Sequence, residues 1–87
     1  MNDDTHGIQS KLEELKRLLS ELDATILDAK TKDYLIGLAK FWVSDADHFI
    51  NEGRAGAALL VLSMVEQQLV KAKKLVAEFG PNIQMVG

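Results

Sequence analysis

A chain of 87 residues has room for one domain, whose small core makes association with another copy a common source of added stability. Thirteen acidic against ten basic side chains give a net charge of −3, without the cationic surplus that neutralising nucleic-acid phosphates draws on. The absence of cysteine excludes disulfides, thiolate metal sites and cysteine nucleophiles, and suits a reducing compartment.

Residues 1–5 carry two aspartates and no apolar core of the kind a secretory leader needs. The longest nearly unbroken apolar run, residues 55–65, is shorter than the ~20 residues that cross a bilayer. The expectation is a soluble, cytoplasmic protein that does not engage membranes. Residues 1–7 read as a flexible tail.

Ile8, Leu12, Leu15, Leu19, Leu22, Ile26 and Ala29 step by four and three, which predicts a first helix over residues 8–29. Ser10 with Glu13 has the form of a capping box, and a start at Asp4 or Thr5 is the alternative that places Ile8 inside the helix. No glycine or proline marks the break that follows. Only Asp28, Thr31 and Asp33, modest helix formers, suggest it, and one continuous helix is the competing reading.

The second helix is expected over residues 32–52, with Leu35, Leu38, Ala39, Trp42, Ala46, Phe49 and Ile50 along its buried side. Gly53 follows as a left-handed cap. Arg54 alone, or Arg54 with Ala55, then separates it from a third helix running to residue 79, so these two helices fold back as a tight antiparallel hairpin. The third helix carries the most regular stripe: Ala58, Leu62, Val65, Leu69, Ala72, Val76 and Phe79. Gly80 and Pro81 stop it, and residues 82–87 read as a flexible tail whose Ile83, Met85 and Val86 could dock in a groove. The fold class is all-α: an up-and-down three-helix bundle with helices near 8–29, 32–52 and 55–79.

Nothing in the chain assembles a reaction. Ser10 is explained by capping, and Ser20, Ser44 and Ser63 have neither a nucleophile elbow nor an evident base, so the reading is non-enzymatic and without cofactor. Asp45, His48 and Glu52, at i, i+3 and i+7, share one side of the second helix, and they carry the alternative of a metal- or small-ligand-binding domain. His48 with Glu52 is also an everyday i,i+4 surface pair.

The more informative feature is surplus grease. Ala57, Leu60, Val61 and Met64 form a second apolar strip on the third helix, and Tyr34 and Phe41 stand aside from the main stripe of the second. These six residues are the expected interface, with the chain's own second copy, as a homodimer, or another protein as partner. A nucleic-acid role, through Lys71, Lys73 and Lys74 with Arg54, ranks third.

Residues 42–59, with Trp42, Asp45, Ala46, Phe49 and Gly53 followed by Ala57, Ala58 and Leu59, resemble a family of short archaeal proteins catalogued as a domain of unknown function. The resemblance implies a three-helix bundle of the albumin-binding-domain-like kind. It implies no activity, so no catalytic residue carries over. The last helix departs from that family's aromatic, glycine-containing segment, having Met64, Val65, Glu66, Gln67, Gln68 and Leu69 there.

Overall fold

The three amphipathic stretches become three helices in a computed structural model, which describes residues 3–80: α1 (Asp3–Thr25), α2 (Ala29–Asn51) and α3 (Ala55–Phe79). Short connections make successive helices antiparallel neighbours, and each helix packs on both others, giving an all-α, up-and-down three-helix bundle. The expected tail at 82–87, with its docking residues, lies outside the described residues.

The first two helices both begin earlier than their stripes suggest. α1 starts at Asp3, next to the alternative start, so residues 3–7 belong to the helix and the Ser10–Glu13 pair lies exposed within it, capping nothing. It ends at Thr25, and Ile26, 1% exposed, plugs the core from the connection. Ala29, expected as the last core residue of the first helix, instead opens α2 and is exposed.

What breaks the chain there is Asp28. Its extended backbone leaves the carboxylate over the start of α2, where Oδ2 accepts from the Thr31 backbone N–H at 2.9 Å and from Thr31 Oγ1 at 2.7 Å. Those two hydrogen bonds from Thr31 hold the Asp28 carboxyl below its ordinary value of 3.8. A depressed carboxyl stabilises the fold fully above the unfolded pKa and loses that contribution as pH falls through the lower, folded value. Asp28→Ala is therefore expected to lower the thermal midpoint by several degrees at neutral pH. The deficit should shrink once pH drops below the ordinary carboxylate range, and a deficit that is constant down to pH ~2 would contradict the cap.

The second connection follows the sequence closely. Gly53 has φ 75°, its N–H donates to Ile50 O at 3.0 Å, and the Arg54 N–H donates to Phe49 O at 2.8 Å, the paired bonds of a Schellman ending. An apolar contact commonly closes this motif. Here the Arg54 guanidinium lies 5.0 Å from the centre of the Phe49 ring, a cation–π contact in the same place. Ala46 and Ala58, both fully buried, keep the arms of the hairpin close.

The core takes Ile8, Leu12, Leu15, Leu19, Leu22 and Ile26 from α1 and its connection, and Ala58, Leu62, Val65, Leu69 and Ala72 from α3, as their stripes predict. α2 is different. Leu35, Ala39 and Ala46 are buried as expected, but Leu38 is 56% exposed, while Ile36 and Val43 occupy the core instead. α2 packs against two helices, and turning toward α1 brings Ile36 and Val43 inward and carries Leu38, 200° around the helix from Ile36, to the outside. Trp42, Phe49 and Ile50 are half-buried at its edges. Phe79 is also exposed, because α3 runs on past the level at which α2 begins and no described residue covers it there.

Candidate interaction face

α1 is tied to both neighbours by charge. Lys11 Nζ donates to Glu66 Oε2 at 2.7 Å, a bond that raises the lysine above its ordinary value of 10.5. On the other side, Asp23 Oδ1 accepts from Lys40 at 2.7 Å and lies 3.9 Å from Lys32; the hydrogen bond from Lys40 leads in lowering the Asp23 carboxyl. Among the described residues every ion pair joining two helices involves α1. No ion pair among the described residues joins α2 to α3 across their outer face.

On that face Tyr34, Leu38 and Phe41 step by four and three along α2, and each is more than half exposed. Leu60 and Met64, four apart on α3, add a second exposed row. Beside Met64 runs a shallow groove between the two helices, lined by Trp42, Met64, Gln67, Gln68 and Lys71. Their register is pinned where Gln68 Nε2 donates to the Leu35 carbonyl at 2.6 Å, half-buried between the helices. That carbonyl keeps its place in the α2 ladder and uses its second lone pair for the glutamine.

The six expected interface residues divide in two. Tyr34, Phe41, Leu60 and Met64 are exposed, whereas Ala57 and Val61 are half-buried and Val61 packs against the core. Leu38 is the member that the pattern missed, since its helical spacing matches the core stripe equally well. Gln68 was also missed: in the polar run from Glu66 to Gln68 nothing distinguishes it from its neighbours.

The candidate ligand set does not close into a cluster. His48 Nε2 lies 2.9 Å from Glu52 Oε2, and Glu52 Oε1 lies 3.9 Å from the Arg54 guanidinium. Asp45 is half-buried and joins neither, and no group of three or more metal-ligating side chains converges among the described residues. Lys71, Lys73 and Lys74 are exposed on α3 and remote in the hairpin from Arg54, so the four cations form no single patch.

No family model, no curated protein and no solved structure matches this chain. No helix among the described residues is long and apolar enough to cross a membrane.

Proposed function

We propose that this protein is a non-enzymatic, cytoplasmic interaction module that pairs with a second copy of itself through the outer face of α2 and α3. The observation that carries the reading is the placement of Tyr34, Leu38, Phe41, Leu60 and Met64 together on one side of the bundle, each at least 45% exposed. Removing grouped apolar side chains of this size from water is the main driving term for association, and aromatic residues at the centre of such a patch act as anchors. The absence of cysteine suits the cytoplasm. Kinship with the short archaeal helical family belongs to the same reading, on the strength of residues 42–59, and adds no reaction.

Sedimentation velocity over a concentration series provides the test. The expected result is a monomer-to-dimer shift within the micromolar range. A chain that sediments as a monomer throughout that range overturns the proposal.

A further inference from the structure

Resting on that self-association, we infer that the two copies meet face to face and reversed end to end, about a two-fold axis beside Leu38 and Met64, with Asp45 of each chain against Lys71 and Lys30 of the partner subunit. The charge layout of the face leads to this arrangement. Its middle is apolar, Asp45 stands toward the hairpin turn, and Lys71 stands at the far end of the groove that Trp42 and Met64 line.

The hairpin register sets the spacing. Gln68 reaches the Leu35 carbonyl, so Lys71, three residues further along α3, is level with about residue 32 of α2, and exposed Lys30 lies just beyond it. At 1.5 Å per residue, Leu38 is about 10 Å from the level of Asp45 and about 9 Å from that of Lys71. An axis at Leu38 therefore exchanges the two positions, as an isologous interface requires.

The same operation lays Tyr34 over the Phe41–Trp42 edge of the other copy, aromatic against aromatic. An axis parallel to the helices instead puts like ends together, setting each Asp45 near the partner's Ala57 and Leu60. The cation nearest that position, Arg54, is already engaged with the Phe49 ring and Glu52 of its own chain, so the carboxylate is desolvated without a free partner. Asp45, already half-buried and outside every ion pair among the described residues, gains one only in the reversed arrangement.

The size of the face also fits a second copy. A 23-residue helix is about 34 Å long, and two packed helices are about 20 Å across, so the face offers on the order of 650 Å². A standard interface uses about 800 Å² from each partner.

The test is a charge-exchange cycle read by sedimentation equilibrium. Asp45→Lys alone and Lys71→Asp alone are each expected to raise the dimer Kd at least about tenfold, and the double variant to bind more tightly than either single one while staying weaker than the parent, because Lys30 still faces position 45. Since the chain has no cysteine, introduced thiols give a second readout. Leu38→Cys should form a disulfide-linked dimer under mild oxidation, while His48→Cys should not, because its two copies lie about 30 Å apart across the axis, far beyond disulfide reach. A dimer indifferent to both single reversals, or one that cross-links as readily through position 48 as through 38, overturns the reversed arrangement and leaves self-association standing. A chain that never dimerises overturns both.

Discussion

Truncating Leu35 to alanine is expected to cost about 2–5 kcal/mol of unfolding free energy, and the same truncation at Leu38 under about 1 kcal/mol, when both are measured dilute enough to keep the chain monomeric. The two leucines are three residues apart on one helix and both fit its apolar period. They differ in burial: Leu35 is 1% exposed and Leu38 is 56% exposed. Removing the Leu35 side chain opens a cavity between α2 and α3 beside the Gln68 hydrogen bond, and close-packed neighbours relax into such a void only in part. Removing the Leu38 side chain exposes little that water does not already reach. A domain of this length is held together by roughly 4–13 kcal/mol, so the Leu35 variant should lose a large share of its stability and unfold at clearly lower urea. Equal losses at the two sites would mean that α2 presents a different side to the core.

A charged group placed in the outer face is expected to separate association from folding. Phe41→Asp and Leu60→Asp should each weaken the proposed dimer about a hundredfold, because a carboxylate in the middle of a dehydrated apolar contact has nothing to compensate its lost hydration. Both side chains are more than 60% exposed in the single chain, and surface substitutions of this kind usually move stability by only about 0.5 kcal/mol. The readouts are sedimentation for the Kd and circular dichroism for the melting of the dilute monomer. Loss of the dimer with an unchanged monomer melt is the expected pair of results. If association survives both substitutions undiminished, the contact lies elsewhere on the bundle.

Much of the bundle was legible because α1 and α3 each carry one stripe that steps by four and three without a break. Leu12, Leu15, Leu62, Val65 and Leu69 are all buried as the spacing predicts. The hairpin was legible for a different reason: few residues other than glycine accept the positive φ of Gly53 at low cost, so the turn is written into one position. The first connection was harder to read. Its signal is a short carboxylate three residues ahead of a threonine, and Asp28 and Thr31 look alike as helix formers whether or not one caps the other.

The limits of the pattern are clearest on α2 and on its outer face. Between Tyr34 and Val43 apolar residues occur almost all the way around the helix, so periodicity allows Leu38 or Ile36 as the inward member. The choice belongs to packing. α2 lies between two neighbours, its Lys32 and Lys40 reach Asp23 on α1, its Leu35 carbonyl receives Gln68 from α3, and these contacts together set its rotation. That rotation exposes Leu38 beside Tyr34 and Phe41. Helix number, hairpin and the cores of α1 and α3 are local consequences of side-chain period and one glycine. The rotation of the middle helix, and with it the face offered to a partner, depends on contacts between residues far apart in the chain, which no local period records.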